Sequence, residues 1–308
     1  MPSNSANATG HKALGTGHFF RVHGALAIVA ILFSANYIIS KLSMHSLAPI
    51  VFAYLRVLGS AIILNTVVHD HGPIERRDEW RLAGFSVLAI AINQFFFLGG
   101  LALTSAHVAA ILITVIPVFA LAAAIGLGFE RATVTRIGGI ALAGAGALLV
   151  VAHEGLDKSL IGDLMIMTSS LAYAFYLVLS KPVIERLSAR RVIARMFAIG
   201  SVVMLPIAAW PLMKQDWRHV PGRAWLGLAL VIIGPTVAAY LLNAWALANA
   251  ESSLVAAYAY LQPVMTTVLA AIFLGEKIQP VAIVAGVMII GGIYVASGGR
   301  RPASEPAA

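Results

Sequence analysis

Most of the side chains in this sequence that could hold a small molecule are amides and phenols lying inside long apolar runs. They are Asn36 and Tyr37, Asn93 and Gln94, Tyr173 and Tyr176, then Tyr240, Asn243 and Trp245, and finally Tyr258, Tyr260 and Gln262. Converging amides and phenols can bind the two ends of a zwitterion while ring faces cover its side chain. Taken singly, each has a plainer use, because Trp and Tyr favour membrane interfaces and Asn or Gln can bridge helices. Arg56 is the one basic residue deep within an apolar run, and a charge there needs a partner or a wet cavity. It reads as a structural clamp on carbonyls or on a carboxylate at a neighbouring helix end, the alternative being a counter-ion for a substrate carboxylate. Glu130 and Glu276 close two of the runs beside Arg131 and Lys277, and read as structural charges that anchor loops through those neighbours. Pro117 and Pro263 fall within runs, where a proline removes a backbone hydrogen bond and kinks the helix.

Several chemistries lack their residues. With no cysteine there is no disulfide and no thiolate metal site. No HExxH occurs, and the histidines are scattered mainly through loops and termini, so neither an intramembrane metalloenzyme nor a resident cofactor is expected. No Asp or Glu stands in the middle of a run, which removes the usual carrier of an intramembrane proton relay. His107 and Asp163 lie near run ends and substitute poorly. Facilitated diffusion is the simplest energetics that remains.

The runs dominate the composition. Hydrophobic residues make up 60% and charged ones 11%, against roughly 45–50% and 25% in soluble domains, and mean hydropathy is +0.89. The formal charge of +8 would suit nucleic acid if it formed one patch. It is instead spread between apolar runs, as in the loops of a membrane protein. The expected partners are therefore membrane lipid and a small-molecule substrate, with no nucleic acid.

The runs predict ten transmembrane helices at about 22–42, 47–68, 80–103, 106–128, 136–152, 160–180, 195–213, 224–247, 253–274 and 279–298. They are continuous, where a β-barrel would show short alternating segments. Met1–His18 is polar and lacks the pattern of a cleavable leader, so the first run is expected to stay as the first span. Assigning alternate loops to alternate sides puts 14 Lys and Arg on the side of the termini and 6 on the other, with Arg56 the remaining one of 21. This bias predicts cytoplasmic N- and C-termini.

The chain also repeats itself. At a constant offset of 146, Ala110 meets Ala256, Pro117 meets Pro263, Ala124 meets Ala270, Glu130 meets Glu276, Arg131 meets Lys277 and Gly146 meets Gly292. More weakly, Ser40-Lys41 answers Ser180-Lys181, and Arg56 answers Arg195 with a one-residue slip. Five spans is an odd number, so the second copy must enter the membrane upside down. The expected fold is all-α, with two inverted five-helix repeats at 22–155 and 156–298 between tails at 1–21 and 299–308. Inverted repeats let one sequence plan form inward-open and outward-open states around a central site. Pro117 and Pro263, at equivalent places in the two copies, are accordingly read as hinge or gating positions.

These features resemble the drug/metabolite transporter superfamily, of the ten-helix EamA-repeat type. The matching residues are Ser34–Lys41, the Pro49-to-Arg56 spacing, the proline spans ending at Glu130-Arg131 and Glu276-Lys277, and Gly162-Asp163-Leu164. Asn93–Gly100 and the aromatic content look most like the YddG-type amino-acid exporters. The resemblance implies a bundle in which spans 1, 3, 4, 6, 8 and 9 line a cavity, 2 and 7 support them, and 5 and 10 stand at the periphery. It also implies export of a neutral or aromatic amino acid across a plasma (bacterial inner) membrane. Another uncharged or cationic metabolite or drug, or a channel-like pore, is the competing expectation. Gly-rich fifth and tenth spans permit close packing within a monomer or between the two chains of a homodimer.

Overall fold

The computed structural model describes residues 16–68, 73–128, 133–153, 158–249, 261–277 and 280–297. The described residues form helices α1 (Thr16–Ser43), α2 (Pro49–Val67), α3 (Arg76–Ser86), α4 (Asn93–Leu103), α5 (Ala106–Ile113), α6 (Ile116–Gly126) and α7 (Val134–His153) in the first half. The second half holds α8 (Lys158–Arg186), α9 (Ala189–Lys214), α10 (Gly222–Val231), α11 (Ala239–Asn249), α12 (Leu261–Leu274) and α13 (Pro280–Ser297). Wider π-turns join α3 to α4 over Val87–Ile92 and α10 to α11 over Ile232–Ala238. Each such pair is one crossing, as are α5 and α6, so these helices make up the ten predicted spans. Seven of the crossings are long and apolar enough to span a bilayer, and the shorter apolar helices Ile137–Gly146, Leu261–Leu274 and Ile283–Gly292 belong to the other three. This is an all-helical membrane protein.

Two boundaries differ from the sequence reading. The connection expected over 181–194 shrinks to Leu187 and Ser188, because α8 runs on through Arg186 and α9 starts at Ala189, capped by the Ser188 hydroxyl on the Arg191 N–H. Hydropathy marks where the lipid ends, and a helix whose backbone is already self-satisfied continues past that point. Span 4, expected as one kinked helix, is instead two helices separated at Thr114 and Val115, with Pro117 in the first turn of α6. A proline there forfeits an N–H that would have been unbonded anyway. Pro263 is the third described residue of α12.

The inversion of the halves can be read from two glycines. A Cβ on Gly146 would lie 2.9 Å from Ala285 O, and one on Gly292 would lie 2.6 Å from Gly139 O and 2.5 Å from Ala143 N. These contacts exchange under the 146-residue offset, which carries Gly139 to Ala285 and Gly146 to Gly292. Higher numbers on α7 meet lower ones on α13, so the fifth and tenth spans run antiparallel. Equivalent spans pointing in opposite directions are the signature of inverted repeats. Lipid tails leave no hydrophobic drive for helices to associate, so small residues that let backbones touch supply the contact.

The remaining packing obeys the same exchange. Span 3 packs on span 6 as span 8 packs on span 1, span 4 meets span 6 as span 9 meets span 1, and span 2 lies against span 7. Even the junctions with the π-turns repeat: Gly59 faces Ile232 and Gly200 faces Ile90, each leaving a would-be Cβ 2.6 Å from an isoleucine carbon. The fifth and tenth spans pack chiefly on each other, outside the rest.

Candidate functional site

Three tyrosines of the second half meet span 3 of the first between the middle of the bundle and the end that carries Asp78. Tyr173 and Tyr176, on α8, lie 5.4 Å apart by ring centroids. Tyr240, on α11, sets its ring edge-on to Phe197 at 5.7 Å and to Phe33 at 6.1 Å, and shares the void with Tyr173. With Ala89, Ile90, Ile193 and Met196 these rings wall a narrow void with room for no more than about one water. Its walls come from spans 3, 6, 7 and 8. The seventh span, expected only to support the cavity, supplies Ile193, Met196 and Phe197.

The π-turns place two polar side chains alike. Gln94 and Tyr240 are each the second residue after a π-turn, one in each half. An i→i+5 turn widens the helix and re-aims the side chains of its next turn, and such turns recur at functional sites. Pro235 helps account for the second π-turn, since it cannot donate; no comparable breaker marks the first. Arg56 is buried and donates from Nε to Thr236 Oγ1, inside the second π-turn, at 2.9 Å. Asn93 binds span 3 to span 6 through Ser169 Oγ at 2.9 Å and Ser169 O at 3.3 Å.

At the opposite end of the bundle a polar network ties five spans together. Glu276 Oε1 accepts from Lys41 Nζ at 2.9 Å and from the Ala106 N–H at 2.9 Å, while Oε2 accepts from His107 Nδ1 at 2.8 Å. Lys41 also donates to Thr104 O at 2.6 Å, and the Thr104 hydroxyl donates to the buried Asp163 carboxylate at 2.5 Å. Gly275, with φ +65°, turns the chain after α12 so that the Glu276 N–H returns to Ala270 O, a left-handed glycine ending the helix. Glu276 thereby reaches the free amides that open α5, where negative charge is favoured. Burial pushes its carboxyl up, but donors from His107, Lys41 and Ala106 outweigh that and hold it at about 2. The expected anchoring of Glu276 through Lys277 is therefore corrected: its partners are Lys41 and His107, 235 and 169 residues away.

The Asp78 end carries its own charges. Buried Asp78 meets Arg186 at 2.7 Å and Arg81 at 3.3 Å, and Glu79 meets Arg195 at 3.1 Å. These pairs join the entrance of span 3 to the ends of spans 6 and 7.

Of the other residues singled out, Asn36 and Tyr37 are buried in span 1, Asn36 accepting from Ser40 and Tyr37 packing edge-on to Phe97 at 5.5 Å. Asn243 is half-buried, and Trp245 is exposed on span 8 away from the void. Gln262 takes the Ser34 hydroxyl on its backbone carbonyl at 3.3 Å. Tyr258, Tyr260 and Glu130 lie outside the described residues, as does the side chain of Pro117. The sequence reading missed Phe197, Thr236, Thr104 and Ser169, which carry no mark beyond being small, hydroxylic or aromatic. It undervalued His107.

The EamA-like transporter family model matches residues 22–152 and again 160–298. The chain belongs to the EamA-like transporter family. As an EamA-like protein it is a multi-pass membrane transporter and not an enzyme. Among its relatives is an uncharacterized transporter of Archaeoglobus fulgidus, 29% identical over 89% of this chain and 96% of its own length. A probable terminal-alkyne amino-acid exporter of Streptantibioticus cattleyicolor is 29% identical over 65% of this chain and 68% of its own. The inner membrane transporter YedA of Escherichia coli is 22% identical over 89% of this chain and 90% of its own. A solved crystal structure covering 93% of this chain and 99% of its own superposes with a TM-score of 0.61 at 16% identity, which speaks to the fold alone.

Proposed function

We propose that this EamA-like protein exports a small neutral amino acid, aromatic or aliphatic, by alternating access. The observation that carries the reading is the void walled by Tyr173, Tyr176, Tyr240 and Phe197 where helices of both halves meet. Phenol hydroxyls can bind a polar head while ring faces cover an apolar side chain. The Streptantibioticus relative, named as a probable amino-acid exporter, supports the same class of substrate. In this reading the network around Glu276 seals one end of the pathway while the tyrosine void lies toward the other. The protein stands in the plasma (bacterial inner) membrane with both termini in the cytoplasm, as the loop charges favour.

The test is counterflow in proteoliposomes. Purified protein is reconstituted, the vesicles are preloaded with one unlabelled amino acid at a time, and uptake of the labelled form is followed. Saturable counterflow by aromatic or aliphatic amino acids, competed by one another, is the expected result. Uptake confined to cationic drugs, or single-channel conductance in planar bilayers, would replace this reading with one of its competitors.

A further inference from the structure

Span 2 carries a charge that the described chain does not neutralise. Arg56 is 4% exposed, and its Nε donates to Thr236 Oγ1 at 2.9 Å. Thr236 is itself fixed by donating to Val231 O at 2.8 Å. The guanidinium is thus held through that one nitrogen, while Nη1, shielded from solvent, has no hydrogen-bond partner. Among the described residues no carboxylate pairs with Arg56. A clamp that satisfied the whole guanidinium would leave no such edge, and an unpaired cation in the membrane interior is costly enough to need a purpose.

The surroundings say what could complete it. Thr236 and Tyr240 are four residues apart on span 8, about one turn along the same side. Tyr240 is a wall of the void. A planar guanidinium with an open N–H edge recognises carboxylate or phosphate geometry. A single cation beside neutral phenols suits one carboxylate better than a doubly charged phosphate.

Gln94, at the position equivalent to Tyr240 in the other half, is 4% exposed and keeps its Oε1 without a hydrogen-bond partner. A buried carbonyl oxygen of this kind suits an ammonium. An open donor and an open acceptor are the two kinds of group that the carboxylate and ammonium of an α-amino acid require.

We infer that Arg56 is the carboxylate-recognition residue of the transport site, engaging substrate through its open Nη1 edge. The inference rests on the amino-acid reading of the tyrosine void and narrows it to substrates that keep a free carboxylate. Bound substrate supplies the counter-charge for the guanidinium.

The experiment compares phenylalanine with phenethylamine, which differs by loss of the carboxyl group, in proteoliposomes of the wild type, Arg56→Gln and Arg56→Lys. The wild type should favour phenylalanine, and Arg56→Gln should lower the phenylalanine-to-phenethylamine flux ratio about tenfold or more. Arg56→Lys keeps the charge without the fork, so it should raise KM for phenylalanine with less effect on kcat. Monodispersity in detergent shows which variants fold; if Arg56→Gln does not, Arg56→Lys alone decides through the same ratio and KM. An unchanged flux ratio in the folded variants, or equal loss of both fluxes, overturns the inference while leaving amino-acid transport standing. A wild type that carries no amino acid overturns the parent reading and this one with it.

Discussion

Lys41 and Glu276 meet at 2.9 Å although 235 residues separate them. One closes the first span and the other comes just after the ninth, and Thr104 and His107 complete the junction from spans 3 and 4. Four crossings from both halves therefore converge on one carboxylate and one ammonium, and Asp163 adds a fifth through Thr104. An alternating-access protein must break such a junction at one stage of its cycle and remake it at another.

The pair should behave as a coupled unit. Lys41→Met and Glu276→Gln are each expected to destabilise the protein by about 1–3 kcal/mol, since each strands a partly buried partner. The double variant should cost less than the sum, with a coupling above about 0.5 kcal/mol. Thermal unfolding of detergent-purified protein measures this. Strictly additive losses would mean that the two side chains do not support each other.

The pH dependence of the junction is set by the carboxylate. Glu276 ordinarily titrates at 4.5 and is held at about 2 in the folded protein. A depressed carboxyl stabilises fully above its unfolded value and loses that contribution as pH falls through the folded one. The charged groups facing it are Lys41 and His107. In a His107→Gln background, which removes the imidazole, the stability gap between Glu276 and Glu276→Gln proteins should hold from pH 8 to about 5. It should narrow only below about 4.5. Narrowing near neutrality would contradict the assignment.

The symmetric glycines offer a packing test. Gly146→Val and Gly292→Val both push a side chain into backbone of the facing helix, and should destabilise by about 1–3 kcal/mol each. Gly144→Ala meets nothing within 4 Å and should be neutral or gain up to about 1 kcal/mol from helix propensity. Melting temperatures in detergent compare the three. Tolerance of valine at only one of the two symmetric sites would show that the halves do not share their packing.

Topology can be read by labelling, since the chain has no native cysteine. Lys158 opens α8 and Arg190 stands at the start of α9, one crossing later. Single cysteines at the two positions should react with a membrane-impermeant thiol reagent from opposite faces, Arg190→Cys from the cytoplasm. Labelling of both from one face would remove the basis of the inverted reading.

The two prolines separate gating from folding. Pro117→Ala changes the first turn of α6, where little helix hydrogen bonding is at stake, and Pro263→Ala is its counterpart at the 146-residue offset. Each should slow counterflow several-fold while changing yield and melting temperature little, about 1 kcal/mol or less. Unchanged flux in both would make them packing residues.

Crossing number, the duplication and the family were legible in the residues alone because each is a property of order along the chain. A run of apolar residues must become helix in lipid, since no other open backbone can satisfy its own polar groups there. Repetition of Pro117, Glu130 and Gly146 at one offset survives without any knowledge of contacts. Which polar residues meet was a different matter. All sides of a membrane helix are apolar, so no polar face points to the neighbour, and partners come from crossings far apart in the chain. Arg56 finds Thr236 across 180 residues and Asn93 finds Ser169 across 76. The π-turns that aim Gln94 and Tyr240, and the glycine cap that swings Glu276 from Lys277 to Lys41, exist only once the helices are packed, because what selects them is the space left between spans.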